Sequence, residues 1–478
     1  MFRNSFPRLE PVSPDGLATI ERGWMRLVSE IGVRFDHPDA VQLLVDAGQR
    51  AEGDIVFFDP EWVLEQVAKV PSEFTLRARN AANDIQIGGD QMVFLPVQGP
   101  PFVRRGLERR DGTLADFDDF CRLAQTLPDF DSVGSLPCEP NDVPLDSRHL
   151  DMVRSIAILT DKPFGGGAVS VDAAEDALAM ARIIFGDRMD REVCIYANIN
   201  VNSPLVYDGR MLDALMIYAR VGQPVFIVPF LLMGAMAPAS TISALAQQFA
   251  EALTGIALMQ TINPGCPAVL GSFLSTTDMK NGSPAFGGPE SHFGLLVSGQ
   301  LARRYKLPWR AGGGSLTTSP VPDAQAAFEG MNTMQAAFLA GANIVMHTGG
   351  WLEGGLVSSF EKLIVDLDIV RTLRAEFTQL DINDDALAFR AHDEVRHGGH
   401  FLGAEHTMER FRDCFYRPQL ATTDNFQRWS KSGGLDAAAR ATGIYEGLLA
   451  EYEQPPMADA MRDELDEYVS RRRTELGD

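Results

Sequence analysis

The sequence predicts an α/β protein: a (βα)8 TIM barrel with an N-terminal α+β segment and a C-terminal helical extension. Two observations carry this expectation. From about Met92 to about Asn383, eight short apolar runs alternate with eight amphipathic stretches at intervals of about 30–45 residues, the count of a closed parallel barrel. The runs are also apolar on successive positions rather than alternating, as strands covered by helices are. The expected division is 1–90 for the N-terminal segment, 91–382 for the barrel and 383–478 for an extension packing on it. An open doubly wound sheet is the alternative. GGGAVS and GGGSLT follow predicted strands, but no acidic residue stands at the later distance that a dinucleotide fingerprint requires.

Residues 1–90 begin with Ser13 and Asp15 ahead of a helical pattern of Leu17, Ile20, Trp24, Leu27, Val28 and Ile31, and Pro38 opens a second helix. A strand (Ile55 to Phe58), a helix opened by Asp59-Pro60 and two strand-like runs at Phe74–Leu76 and Ile85–Ile87 follow. The polar residues of a site are sparse here, so this part reads as a cap or an oligomerisation module. The barrel strands are expected at Met92–Pro96, Ser132–Leu136, Pro163–Val169, Val193–Ile199, Val225–Phe230, Ala268–Phe273, Trp309–Gly312 and Asn343–His347, with helices at roughly 115–127, 146–161, 172–186, 208–222, 240–262, 290–306, 323–341 and 358–378. The tail holds HDEVRHGGHFLGAEHTMERF and a last helix whose Arg471, Arg472 and Arg473 are expected to be a solvated end.

Composition narrows the function. A net charge of −23, from 42 basic and 65 acidic residues, leaves no basic cluster for nucleic acid. Five scattered cysteines (Cys121, Cys138, Cys194, Cys266, Cys414) form no CxxC pair, which suits a reducing cytoplasm and signals no thiolate metal site. The N-terminus lacks the apolar core of a signal peptide, and the most apolar run, Pro224 to Ala235, is shorter than the ~20 residues that span a bilayer. No metal is expected in the chain itself: His397, His400 and His406 match no zinc spacing. No signature supports a Cys or Ser nucleophile or a Walker-type phosphate site.

Barrel enzymes place reactive groups where strands end. Collected on that rule, the candidates are Gln98 and Phe102 after the first strand, Asn200 after the fourth, Phe230 after the fifth, Phe273 after the sixth, Gly312, Gly313 and Gly314 after the seventh, and His347, Trp351 and Glu353 after the eighth, with Glu290 near the start of the sixth helix. The stretch NIVMHTGGWLEGG, from Asn343 to Gly355, is the centre of this set: a buried strand that opens into a glycine-rich loop with one imidazole, one indole and one carboxylate.

The runs GGGSLTTSPVPDAQAAFEGMNTMQAAFLAGANIVMHTGGWLEGG (312–355), GGPESHFGLLVSGQLARRYKLP (287–308), GGHFLGAEHT (398–407) and YRPQLATTDNFQRW (416–429) resemble the trimethylamine methyltransferase family. More narrowly, they are similar to its non-pyrrolysine branch, typified by glycine betaine methyltransferases, and the resemblance covers nearly the whole chain. It implies a (βα)8 barrel that moves a methyl group from an amine to the cobalt of a corrinoid (cobalamin) carried by a partner protein rather than tightly bound. The founding members carry pyrrolysine; every residue here is standard. A quaternary amine already bears the positive charge that makes its departure as a neutral tertiary amine feasible, so the resemblance implies a quaternary amine such as glycine betaine or a related betaine. His347 and Glu353 are then expected in the catalytic centre as positioning groups. Gln98, Phe102, Asn200, Phe230, Phe273, Glu290 and Trp351 would bind substrate, and Gly312, Gly313 and Gly314 would let the corrinoid approach. The expected protein is cytoplasmic and homo-oligomeric, with no nucleic-acid or membrane partner. The alternatives are a corrinoid methyltransferase for another methylated donor, or a non-catalytic betaine-binding barrel.

Overall fold

The structure, a computed structural model, describes residues 1–477. The fold is α/β, organised on a seven-stranded sheet. In chain order its strands are β1 (Phe2–Arg3), β2 (Gln91–Phe94), β3 (Ala197–Val201), β4 (Val225–Pro229), β5 (Ala268–Ser272), β6 (Trp309–Ala311) and β7 (Ile344–Val345). They lie in the order β1-β2-β7-β6-β5-β4-β3. All pairs are parallel except β1 with β2. Register is set by Ile344 opposite Val93, Arg310 opposite Ile344, Leu270 opposite Trp309 and Val225 opposite both Ala268 and Ala197.

The expected strands at 132–136 and 163–169 are reduced to single parallel bridges, Gly134 with Phe164 and Gly165 with Tyr196. On the other side Asp131 N–H donates to Phe94 O at 2.9 Å. A Cβ on Gly166 would stand 2.1 Å from the Tyr218 hydroxyl, and one on Gly167 would stand 2.6 Å from Ala173 O. This stretch therefore gives up ladder pairing for close contact with the helices behind it.

Helices follow at Leu114–Thr126, Arg148–Leu159, Val171–Phe185, Gly209–Arg220, Thr241–Ile262, Pro289–Arg304, Ala324–Ala340 and Phe360–Glu376. Most start where a short polar side chain accepts from an orphan first-turn amide: Thr113, Ser170, Asp208, Ser240, Asp323 and Ser359. The sheet's two faces differ in what they meet. Met92, Phe94, Ile199, Ile227, Leu270 and Val345 pack with the helices. Val93, Leu95, Tyr196, Phe226, Val228, Val269, Ile344 and Met346 form a separate cluster on the inner face.

The N-terminal segment closes two gaps in this framework. The hairpin of Glu73–Leu76 and Ile85–Gly88 inserts Phe74, Leu76, Ile85 and Ile87 into the inner-face cluster and forms its floor. The helices Pro14–Arg26 and Pro60–Val67 pack on Thr241–Ile262, the one helix among the described residues long and apolar enough to cross a membrane. That helix is buried along nearly its whole length, and Gly23 lets the backbones approach, since a Cβ there would stand 2.8 Å from Ala246 Cβ.

At the other end, Ala437–Ala450 packs on Phe360–Glu376, and Asp459–Leu476 packs on Arg148–Leu159 and Val171–Phe185. Two of the three arginines expected in solvent are anchors. Arg472 Nε donates to Asp176 at 2.7 Å, and Arg473 pairs with Asp151. Burial raises the Asp176 carboxyl, but hydrogen bonds from His149, Arg472 and Tyr468 outweigh it and hold the group down at about 2. A folded-state value below the unfolded one stabilises the protein above the unfolded value and ceases to do so as pH falls through the folded one. Asp176→Asn is therefore expected to lower stability at neutral pH by on the order of 2 kcal/mol, with the gap from wild type closing as pH falls from about 4 to about 2. Urea denaturation across that range measures it; a gap independent of pH contradicts the assignment.

Candidate active site

The chain leaves β7 through Met346 and turns at His347, whose φ of +57° is uncommon for a residue with a side chain. Such a conformation persists only when neighbours over-determine it, at a cost of about 1–2 kcal/mol. Here they do. Gly314 N–H and Ser315 N–H donate to the carbonyls of Met346 and His347 at 3.0 and 2.9 Å, and Thr348 N–H donates to Leu95 O at 2.9 Å. The next turn is fixed from below, where Gly350 N–H donates to Asp366 Oδ2 at 2.9 Å and Asp366 is paired with Lys362. Both charges are wholly buried, and burial, partly offset by Lys362, raises Asp366 to about 6. Breaking one side of such a pair leaves an uncompensated buried charge, so the loop is held firmly.

Above this floor, aromatic side chains from separate loops converge. Phe230 follows β4, Phe273 follows β5, Phe286 precedes the helix Pro289–Arg304, and Trp351 follows the His347 turn. Ring centroids are 4.7 Å apart for Phe230 and Phe273, 5.6 Å for Phe273 and Phe286, and 5.6 Å for Phe286 and Trp351. His347 stands 4.5 Å from Trp351 and 6.2 Å from Phe273. Phe230 is half-buried and the rest are buried, a set of faces suited to a cation without hydrogen-bond donors.

Gln98 N–H donates to His347 Nδ1 at 3.2 Å. An amide can only donate, so Nδ1 carries no hydrogen and the ring proton is on Nε2. Burial first, and the Arg310 charge second, hold His347 well below the usual imidazole range, so the ring is neutral. Beside it lies Arg310, in the middle of β6, 3% exposed. Its Nη2 is 3.4 Å from His347 Nε2 and 2.9 Å from Met346 Sδ, its Nη1 is 3.5 Å from Ser272 O, and its Nε has no partner. Burial pulls the guanidinium down to about 9.

The other expected residues are distributed around this centre. The Gln98 side chain is occupied: its oxygen accepts from Ser135 and Leu136 N–H at 2.8 and 2.6 Å, and its Nε2 donates to Val97 O at 2.7 Å. It ties two loops, while its backbone orients His347. Asn200 pairs with Val228 and so shares the inner face, where it is exposed at the open end. Glu353 accepts from Arg109 at 2.9 Å, and that guanidinium covers the Phe102 ring at 3.9 Å, so these three form a stack at the rim. Glu290 is exposed in the first turn of its helix. Gly312 and Gly314 meet the protein's own chain, since a Cβ would stand 2.1 Å from Ser272 O and 2.5 Å from His347 O, and Gly313 is buried against Leu316.

Two residues of the centre escape a search of strand ends. Phe286 arrives through the pairing of Leu274–Thr277 with Pro284–Ala285, which no apolar periodicity announces. Arg310 lies inside a strand; a lone charge within a buried parallel strand was the available signal.

The described residues contain no group of three or more His, Cys, Asp or Glu placed to hold a metal. A sequence model described as trimethylamine methyltransferase (MTTB) matches residues 1–477. A glycine betaine methyltransferase from Desulfitobacterium hafniense (strain Y51) is 37% identical over 475 residues, 99% of either chain. A proline betaine:corrinoid methyltransferase from Eubacterium limosum is 28% identical, over 93% of this chain and 94% of that one. In fold, the crystal structure of the Methanosarcina barkeri monomethylamine methyltransferase (MtmB) superposes with a TM-score of 0.54 at 10% identity, covering 94% of this chain and 90% of that one. A match along essentially the entire length, joined to high-coverage identity with a curated relative, places this chain in the trimethylamine methyltransferase (MTTB) family.

Proposed function

We propose that the protein is a methyltransferase that moves a methyl group from a quaternary amine of the betaine class to a Co(I) corrinoid carried by a partner protein. The observation that carries this reading is the box of Phe230, Phe273, Phe286 and Trp351 beside a neutral imidazole. Relatives named for glycine betaine and proline betaine support the substrate class. The corrinoid supplies the electron pair that takes the methyl as CH3⁺, while the C–N bonding pair stays on nitrogen, which departs as a neutral tertiary amine.

The chain's own work is then positioning. Aromatic faces hold the cationic head by attraction worth about 2 kcal/mol or more per desolvated contact, and the buried walls exclude water. His347 points Nε2–H into the site without exchanging a proton. Glu353 acts as a positioning residue that fixes the Arg109–Phe102 stack beside the Trp351 loop. The eight βα units form a (βα)8 barrel; the bridges at Gly134 and Gly165 and the Asp131 to Phe94 hydrogen bond, which connect the two ends of the ladder, support it. The corrinoid protein docks at the open end, where exposed Leu107, Met279 and Leu356 offer apolar contact. A second copy associates through the apolar side chains of 380–435, such as Leu380, Ile382 and Phe415. The reaction belongs in a reducing cytoplasm, which suits five free cysteines.

Purified protein mixed with glycine betaine and Co(I) cobalamin is expected to form methylcobalamin, read by visible absorbance, with no added metal. Turnover of trimethylamine with none of any betaine rejects the reading. Trp351→Ala is expected to weaken betaine binding by about 1–2 kcal/mol in isothermal titration. His347→Ala is expected to lower kcat/KM without removing any limb of its pH profile between about pH 6 and 8, because the ring is already neutral there. Loss of a limb would identify His347 as an acid or base.

A further inference from the structure

Arg310 is a cation placed where a cation is expensive. A guanidinium has five N–H donors and no acceptor, and a buried one is ordinarily matched by a carboxylate. Among the described residues no Asp or Glu is paired with Arg310. Its hydrogen-bonding neighbours are a thioether sulfur, one carbonyl at 3.5 Å and the imidazole of His347, the Tyr196 hydroxyl lies within electrostatic reach, and its Nε is unsatisfied. The contact with His347 is not a hydrogen bond in the ordinary sense. The Gln98 amide fixes the ring proton on Nε2, so Nη2–H and Nε2–H are two donors 3.4 Å apart, with no acceptor shared between them. Two donors this close, neither of which can satisfy the other, are able to donate together to one oxyanion.

The position of that place matters as much as its charge. The same His347 ring stands 4.5 Å from Trp351, so the donor pair and the aromatic box share one imidazole. A molecule that fills both has a quaternary ammonium and an anionic oxygen separated by a short chain. Resting on the quaternary-amine reading of the box, we infer that Arg310, with His347 Nε2–H, binds the carboxylate of the substrate and restricts the enzyme to ammonium carboxylates over uncharged or alcoholic quaternary amines. The missing acceptor is the substrate's. An aspartate or glutamate supplied by the protein would compete with it, which accounts for a buried cation left without one.

The inference separates Arg310 from an ordinary structural arginine by the sign of its effect on the free protein. A structural guanidinium loses hydrogen bonds when removed and the fold weakens. An uncompensated buried charge costs stability, so its removal strengthens the unliganded fold. Arg310→Met, close in length and apolar, and Arg310→Lys, which keeps the charge but not the fork, form the pair of variants. The probes are glycine betaine, choline, which replaces the carboxylate by a hydroxymethyl group, and tetramethylammonium, titrated calorimetrically against wild type and both variants. Wild type is expected to prefer glycine betaine to choline by about 100-fold. Arg310→Met is expected to lose that preference while binding tetramethylammonium within about threefold of wild type, and Arg310→Lys to retain part of it. The melting temperature of unliganded Arg310→Met is expected to equal or exceed that of wild type.

Equal affinity of wild type for glycine betaine and choline overturns the inference while leaving the quaternary-amine site intact. So does an Arg310→Met variant that melts lower and weakens all three probes alike. Failure of wild type to bind any of the three overturns the function proposed for the box itself.

Discussion

The site depends on one clamp, the set of backbone hydrogen bonds that hold residues 346–350 between the loops following β6 and β2. Gly314, Ser315 and Thr348 supply the donors, Asp366 fixes the turn below, and the Gln98 amide sets the proton position of the imidazole. Without that clamp a non-glycine residue at φ +57° would relax toward the ordinary regions, and His347 would lose both its direction and its tautomer. Trp351 would move with it, since only three residues of a glycine turn lie between them. The clamp also explains the Gly312 to Gly314 run. A side chain at Gly314 would collide with His347 O, so the glycines are what allow the two loops to touch.

The helices were legible because capping chemistry is local. A Ser, Thr or Asp ahead of an apolar period is visible in a dozen letters, and the structure starts helices at such residues from Ser13 to Ser359. Five of the expected strands in the 193–347 range match ladders for a related reason: a run such as Val225 to Pro229 has no polar residue with which to form anything but a buried strand. The stretch at 163–169 pairs less than expected because Gly166 and Gly167 serve helix contact, which depends on residues such as Tyr218 that are distant in sequence, and at 132–136 Gly134 lies against the Gln98 side chain.

Within the site, His347, Trp351, Phe230 and Phe273 were accessible from the rule that strands deliver side chains at their ends. Phe286 and Arg310 were not. One reaches the centre by a hairpin that no apolar periodicity announces, the other from within a strand, where its only mark is a lone charge in a buried run. The outward direction of Glu353 was equally out of reach, since it follows from Arg109, more than two hundred residues away. Electrostatics adds a contrast of scale. A chain of net charge −23 places an unpaired guanidinium at its centre. Long-range attraction for an anion is therefore weak, and recognition at Arg310 is a short-range matter of desolvated donors.

The helix Thr241–Ile262 has a consequence for how the chain is made. Much of its apolar surface is covered by Pro14–Arg26 and Pro60–Val67, which leave the ribosome well before it does. When this sticky rod emerges, that part of its cover has already been made, so the order of synthesis shields a segment prone to aggregate. A circularly permuted chain that presented residues 241–262 before 14–67 would have the same final contacts and none of that protection.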